Sequence, residues 1–182
     1  MPNKFIFTIS GAAGHGKDTL AEMMRDYANE IGKKAIVIHF ADYLKYICGT
    51  YYGWNGQKDE AGRTLLQQVG TNKVREKNPN YWVEVVQNLI ETVLIDDFDI
   101  FLIPDARFPN EIESFADDEN CRVHSIRVFR PNAPIILTEE QKNHPSETAL
   151  KDFLFEYEVE NNSLEELRQA AYQIINLEVN GG

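Results

Sequence analysis

The sequence predicts an α/β fold with a mainly parallel sheet, because five short apolar runs alternate with stretches of helical spacing. The runs are rich in Val, Ile and Phe, and they lie at residues 5–9, 35–40, 99–104, 122–129 and 155–160. Strands that are apolar along their whole length are typical of a parallel sheet covered on both faces. The 182 residues contain no internal repeat and no linker, so we expect one domain spanning residues 1–182.

Helices are predicted in the intervals between these runs. After the first run, apolar residues recur at helical spacing from Leu20 to Ile31, and Gly32 is placed to end that helix. Two further helices are predicted over residues 63–77 and 82–94. The closing helix is expected to begin at Ser163, whose spacing to Glu166 fits a capping box.

The charge balance restricts the class of partner. The chain has 18 Lys+Arg against 29 Asp+Glu, which gives a formal net charge of −11 at pH 7. Proteins that bind nucleic-acid polymers use a basic surface to displace counterions from phosphates, so we expect no such partner here. A small anionic ligand remains compatible, because a few clustered Arg and Lys side chains reverse the field locally.

The cysteines and apolar runs indicate the compartment. Cys48 and Cys121 are too few for a disulfide framework, and no Cys/His cluster with zinc-ligand spacing accompanies them. We expect semi-buried thiols in a reducing environment. No apolar run approaches the ~20 residues that span a bilayer, and the N-terminus lacks a signal-peptide pattern. These features predict a cytoplasmic protein without a membrane partner.

The most informative segment is the glycine-rich stretch at residues 10–19, between the first predicted strand and the first helix. Gly11, four further residues and then Gly16-Lys17 have the spacing of a phosphate-binding loop. Glycines let backbone N–H groups point at an anion, the helix adds its positive dipole end, and Lys17 would follow charge on the β- and γ-phosphates. The expected ATP-binding residues are Gly11, Ala13, Gly14, His15, Gly16, Lys17, Asp18 and Thr19.

One position of this loop departs from the common pattern. Asp18 stands where a Ser or Thr hydroxyl usually holds Mg²⁺, and the hydroxyl comes one residue later, at Thr19. Asp18 would either reach the ion through water or cap the helix, and the sequence leaves both roles open.

Polar residues follow two other predicted strands, at the carboxyl edge where open α/β sheets bind ligands. Asp42 and Lys45 follow the second strand, and a helix N-cap is the alternative role for Asp42. Asp105 and Arg107 follow the third strand. Asp105 is placed to orient water on Mg²⁺ and Arg107 to reach a transferred phosphoryl group, whereas a plain surface turn is the alternative for this segment.

The predicted helix at residues 63–77 carries a polar side. Arg63, Gln67 and Gly70 fall on one face, and Arg75 follows. Gly costs about 1 kcal/mol inside a helix, so Gly70 needs a reason, and we expect the close approach of a ligand. Two arginines suit bidentate phosphate binding, whereas a solvated charged face is the competing interpretation.

Taken together, these segments resemble the phage-type deoxynucleoside monophosphate kinases, a branch of the P-loop nucleotide kinases. The resemblance runs from residue 5 to about residue 170 and rests on residues 10–19, 40–45, 63–75, 82–83, 107–111 and 144–147. It implies a three-layer P-loop kinase fold with a five-stranded sheet, a nucleoside-monophosphate-binding insert at about residues 42–80 and a short lid at about residues 130–150. It also implies transfer of the ATP γ-phosphoryl group, with Mg²⁺, to a deoxynucleoside 5′-monophosphate, and it is compatible with a homodimer.

The resemblance also implies roles for single residues. Catalysis would fall to Lys17, Arg107 and Arg130, although the sequence does not decide between Arg127 and Arg130. The residues implied for acceptor binding are Asp42, Lys45, Arg63, Gln67, Gly70, Arg75, Trp82 and Arg107. Asp105 would serve the metal, and the loop with Asn161 and Ser163 would carry the ATP base. Tyr43 is a departure, since such proteins often have proline there.

Two other functions remain open on the sequence. A kinase of this fold could act on another small phosphorylated metabolite such as dephospho-coenzyme A, although residues 63–75 and 107–111 match nucleotide acceptors better. A regulatory protein could keep the loop, bind ATP and transfer nothing. His144 is more simply a helix cap than a catalytic group.

Overall fold

A computed structural model of the chain describes residues 4–116, 120–134 and 137–181. Its strands are β1 (Lys4–Ser10), β2 (Ala35–Val37), β3 (Ile100–Ile103), β4 (Cys121–Phe129) and β5 (Tyr157–Glu160). They form one sheet in the order β2-β3-β1-β4-β5, and the four pairings among these described strands are all parallel. The predicted α/β fold with a five-stranded parallel sheet is therefore confirmed.

The helices connect these strands and flank the sheet. They are α1 (Lys17–Glu30), α2 (Ala41–Tyr52), α3 (Glu60–Gln67), α4 (Tyr81–Leu89), α5 (Pro109–Glu113), α6 (Glu139–Lys142), α7 (Pro145–Thr148) and α8 (Leu164–Ile175). Wider π-helical turns extend α3, α4 and α8 over Gln68–Arg75, Ile90–Leu94 and Asn176–Asn180. None of the described helices is both long enough and apolar enough to cross a membrane.

Two apolar cores lie on opposite faces of the sheet, because successive strand residues point to opposite sides. On one face Phe7 packs in a cluster with Leu20 of α1 and Leu167 of α8. On the other face Ile6 belongs to a cluster with Trp82 of α4. The molecule therefore has three layers, with helices on both faces of the sheet. The helices cover the faces of the sheet, and the loops at the carboxyl ends of the strands remain accessible to a ligand.

The cap of α2 was not predicted, because it comes from a residue that is distant in the sequence. The carboxylate of Asp105, two residues after β3, accepts the backbone N–H groups of Phe40 at 2.9 Å and Ala41 at 3.0 Å. These bonds satisfy donors that the first helical turn leaves free. The N-cap alternative for Asp42 is not what the structure shows, since Asp42 lies one residue inside α2.

Two other predicted caps are present. His144 is the N-cap of α7, and its Nδ1 atom accepts from the backbone N–H of Ser146 at 3.2 Å, which confirms the helix-cap interpretation. Ser163 caps α8 by accepting from the backbone N–H of Glu166 at 3.2 Å. The carboxylate of Glu166 accepts instead from the side chain of Asn162, so only half of the expected capping box forms.

The glycine-rich loop between β1 and α1 packs closely against β4 and against the residue that follows β5. Gly11 has φ +149°, and a Cβ atom there would lie 2.2 Å from the backbone oxygen of Val128 in β4. Gly16 has φ +99°, and its Cβ would lie 2.4 Å from Nδ2 of Asn161, just after β5. Side chains larger than hydrogen are therefore incompatible with both positions, and the loop shape depends on the two strands beside it.

We expect Gly11→Ala to lower the free energy of unfolding by about 3 kcal/mol, because the new methyl group meets a backbone atom and the backbone is strained. Gly32→Ala is the matched control, since Gly32 has φ +83° but no described atom lies within 4 Å of its Cβ position. That control should lose about 1 kcal/mol. Urea unfolding of both variants measures the difference, and equal losses would contradict the steric argument.

Candidate active site

Two cavities flank the glycine-rich loop at the carboxyl edge of the sheet. The larger, about 290 Å³, contains Ala13, Gly14, Lys17 and Asp18 of the loop. Its wall also includes most of the residues expected to bind the acceptor or the metal, namely Lys45, Arg63, Gln67, Gly70, Arg75, Trp82, Asp105 and Arg107. The smaller cavity, about 190 Å³, lies against Gly11, His15, Arg107 and Arg127.

Some of the expected residues lie outside both of these cavities, which are formed by described residues: Gly16, Thr19, Asp42, Arg130, Asn161 and Ser163. Asn161 instead donates from Nδ2 to the backbone oxygen of His15 at 2.9 Å, which props the loop. The Arg130 side chain is exposed, whereas Arg127 is half-buried, lies over the ring of Phe155 and lines the smaller cavity. Arg127 therefore lines the smaller cavity, whereas the backbone N–H of Arg130 donates to Nδ1 of His15 in the loop at 3.3 Å.

Lys17 is a buried cation in the wall of the larger cavity. Only 6% of its surface is exposed, and its Nζ atom donates to the backbone oxygen of Ala12 at 3.0 Å. Burial, together with the nearby Arg107 cation, lowers the pKa of Lys17 to about 8. An anion bound beside Lys17 would favour its charged form and raise this pKa again.

A chain of polar contacts links the loop to α2 through His39, a residue that the sequence analysis did not single out. His39 contacts Asp18 through Nε2 at 3.0 Å and Asp42 through Nδ1 at 3.4 Å. Lys45 donates to the other oxygen of Asp42 at 2.8 Å. Burial alone would lower the pKa of His39, but the two carboxylates outweigh it and raise the pKa to about 9.

This network includes Asp18, whose role the sequence left open, and His39, which the sequence analysis did not name. Asp18 is paired with His39, and the hydrogen bond from His39 lowers the pKa of Asp18. The only signal for His39 in the sequence is a polar residue within the second apolar run, and that signal does not name its partners.

Glu111 holds the segment after β3 against the helical insert. Its carboxylate, in a residue only 2% exposed, accepts the backbone N–H groups of Arg107 at 2.6 Å and Phe108 at 3.0 Å. The same carboxylate forms an ion pair with Arg75, whose guanidinium lies 4.1 Å from the ring centre of Phe108. Burial raises the pKa of Glu111 despite this partner. The expected phosphate-binding Arg75 is thus partly engaged before any ligand arrives.

Arg107 forms the wall between the two cavities together with Glu147. Its Nη1 atom lies 2.7 Å from Oε2 of Glu147 in α7, and both residues line both cavities. Glu147 belongs to the 144–147 segment of the resemblance, but its sequence position gave no indication of this partner. Arg107 therefore lies at the boundary of the two cavities.

Gly70 and Trp82 have packing roles that modify the expectation. A Cβ atom at Gly70 would lie 2.7 Å from Cδ2 of Leu44 in α2, so close helix packing gives this glycine a reason in addition to its place in the cavity wall. Trp82 is only 3% exposed, and its Nε1 donates to the backbone oxygen of Gly70 at 2.9 Å. Trp82 is a core residue that borders the cavity.

The expected lid touches the insert. Gln141 of α6 is buried, and its amide donates to the backbone oxygen of Glu60 at 3.2 Å and to the hydroxyl of Thr64 at 3.3 Å. Leu137 lines the larger cavity from the same side. Residues 135 and 136 of the expected lid lie outside the described residues. Ser146 and Glu147 of the same expected lid also line this cavity.

Comparison with solved structures identifies the fold. The APS kinase CysC of Mycobacterium tuberculosis matches with a TM-score of 0.53 at 13% sequence identity, over 97% of this chain and 99% of that chain. The same kinase in complex with AMPPNP and APS matches with the same TM-score and identity, over 97% of this chain and 98% of that chain. The chain has the fold of the P-loop kinases. At this level of identity the likeness concerns the fold alone.

Two further solved structures are similar at lower scores. Thymidylate kinase from Candida albicans has a TM-score of 0.48 at 13% identity and covers 100% of this chain and 94% of that chain. Shikimate kinase from Acinetobacter baumannii has a TM-score of 0.46 at 15% identity and covers 98% of this chain and 94% of that chain. No protein-family model matches the sequence, and no curated protein matches it significantly.

We expect His39→Gln to destabilise the protein by about 2 kcal/mol at pH 6, and by much less at pH 10. The folded-state pKa of His39 is about 9, above the value near 6.5 of an unfolded chain. Its stabilising contribution is therefore complete below about pH 6.5 and disappears as pH rises through 9. The expected loss of stability is smaller than the pKa difference alone would give, because the Asp18 side chain is 70% exposed and solvent screens the ion pair. Urea unfolding at both pH values measures the change.

His15→Gln provides the control for that experiment. Burial and neighbouring cations lower the pKa of His15, so the stability difference between wild type and this variant should shift in the opposite direction with pH. A loss for His39→Gln that is the same at pH 6 and pH 10 would contradict the ion-pair assignment.

Proposed function

We propose that the protein is an ATP-dependent kinase that transfers the γ-phosphoryl group to a deoxynucleoside 5′-monophosphate. The observation that carries this proposal is that one cavity joins the loop lysine, Lys17, to Arg63 and Arg75 of the helical insert. A donor phosphate on the loop and an acceptor phosphate on the insert would then lie within the same cavity. Phosphoryl transfer needs this juxtaposition more than any covalent group.

The residues present fit ATP and Mg²⁺. The loop supplies backbone N–H groups at the start of α1, and Lys17 supplies a buried positive charge. Asp18 and Asp105 line the same cavity. A carboxylate oxygen can bind Mg²⁺ directly or accept a hydrogen bond from water bound to Mg²⁺. A bound Mg²⁺ ion would neutralise part of the negative charge on the ATP phosphates.

The protein side chains would act by position and charge. Lys17 would hold phosphate oxygens of the donor, and Arg107, in the wall between the cavities, would contact the transferred group in exchange for Glu147. An acceptor phosphate is already ionised near pH 7, so it needs no general base. The lid contacts of Gln141 with the insert would help to exclude water and so limit ATP hydrolysis.

The acceptor side of the cavity supports a mononucleotide. Lys45 and Arg63 provide cations for a phosphate, whereas Leu44, Leu66 and Phe108 provide an apolar wall for a base. About 290 Å³ is space for a small ligand and not for a polymer. The sequence resemblance to deoxynucleoside monophosphate kinases selects the acceptor class within these limits.

A panel of acceptors incubated with ATP and Mg²⁺ tests the proposal. The panel contains the deoxynucleoside and ribonucleoside monophosphates, dephospho-coenzyme A and APS, and each reaction is scored for ADP and for the phosphorylated acceptor. We expect ADP formation that depends on a deoxynucleoside monophosphate. Activity with dephospho-coenzyme A or APS alone would replace the proposed acceptor, and ATP binding without acceptor-dependent ADP would support a regulatory protein.

Lys17→Met should lower kcat by about 10³-fold or more, because the variant loses the charge that follows the transferred phosphate. Its melting temperature should stay within a few degrees of wild type, since a buried cation contributes little to folding. Lys34→Met is the control, because Lys34 is exposed and lies before β2, away from both cavities. Near-normal turnover in Lys17→Met would refute the phosphate-loop assignment.

A further inference from the structure

A second polar cluster lies under the C-terminal helix, outside both cavities of the candidate active site. His124 of β4, Glu156 just before β5 and Glu178 in the last helical turn, Asn176–Asn180, come together there from three separate elements. One side-chain nitrogen or oxygen of each residue lies within 4.8 Å of the others. Three elements that each contribute one such atom form a ready ligand set.

His124 is the buried member of this cluster. Its side chain is 9% exposed, and its ring stacks on Phe7 with centroids 5.0 Å apart. The Nδ1 atom lies 3.0 and 3.2 Å from the two carboxylate oxygens of Glu156. The Nε2 atom is buried and has no hydrogen-bond partner among the described residues, although Oε2 of Glu178 lies 3.4 Å away. A buried ring nitrogen left in this state needs an explanation.

We propose that His124, Glu156 and Glu178 bind a divalent first-row transition-metal ion such as Zn²⁺. Ligand bonds of about 2.0–2.1 Å in a tetrahedral site place neighbouring ligand atoms about 3.3 Å apart. The 3.4 Å separation of Nε2 and the Glu178 carboxylate corresponds to that spacing. The Glu156 side chain is 46% exposed and has room to turn towards the ion, and water completes the coordination.

The surroundings of Glu178 support a built site. The hydroxyl of Tyr157, at the start of β5, donates a hydrogen bond to Oε1 of Glu178. Such outer contacts orient metal ligands and are typical of metal sites. The imidazole nitrogen favours Zn²⁺ and similar ions, whereas Mg²⁺ prefers oxygen ligands, so Mg²⁺ should not compete.

The site is separate from the candidate active site. Glu156 precedes β5, whereas Asn161, which contacts the glycine-rich loop, follows it. The four residues between them, at about 3.3 Å each, separate the two ends of the strand. A metal ion here would fasten the C-terminal helical turn to the sheet, and this conclusion does not depend on which acceptor the protein phosphorylates.

Metal binding to chelator-treated protein tests the proposal. The protein is dialysed against Zn²⁺ in an excess of Mg²⁺, its metal content is measured, and Co²⁺ is used in parallel for its visible absorption. Wild type should bind about one equivalent, and Zn²⁺ should raise its melting temperature. Glu178→Gln and Glu156→Gln should each weaken binding by at least about tenfold and reduce the thermal shift.

Two variants serve as controls. Glu158→Gln changes an exposed carboxylate on β5 that is not part of the cluster, and it should leave binding unchanged. His39→Gln removes the histidine of the other His/carboxylate network and should also leave it unchanged. The proposal is overturned if wild type binds no Zn²⁺. It is also overturned if the cluster variants keep the ion or if His39→Gln loses it.

Discussion

The buried carboxylate of Glu111 is the constraint on which both sides of the candidate active site depend. A charge this deeply buried is tolerated only when it is paired and hydrogen-bonded, and breaking such a pair costs about 3–5 kcal/mol. Its bonds to two backbone N–H groups set the turn that carries Arg107, and its ion pair with Arg75 fastens the insert to the end of β3. One carboxylate therefore holds the segment that carries Arg107 next to the helix that carries Arg75.

Three cations of the candidate site are already paired with carboxylates. Arg107 is paired with Glu147, Arg75 with Glu111, and Lys45 with Asp42. An overall charge of −11 makes such partners abundant, and they keep the cations in place before a ligand binds. A phosphate would therefore exchange with a carboxylate at Arg107 rather than meet an unpaired guanidinium, so binding replaces one ion pair by another.

The sequence predicted what depends on local pattern. The five strands, the glycine-rich loop and α1 follow from apolar runs and fixed glycine spacing, which act over a few residues. It did not predict the residue that caps α2, because Asp105 is 64 residues away in the chain. Long-range pairs such as Arg107 with Glu147 leave no local signal either. The low helix propensity of glycine drew attention to Gly70, but the sequence did not indicate that Leu44 packs against it.

The clamp between Asn161 and the glycine-rich loop has a consequence for how the protein is made. The loop belongs to the first residues to be synthesised, yet the amide that supports it is 146 residues further along the chain. Its strand, β1, also needs β3 and β4 as neighbours before it is enclosed. Contacts between such distant segments form only when nearly the whole chain is present. A nascent chain on the ribosome would thus carry the glycine-rich loop for most of its synthesis without the contacts that give the loop its shape.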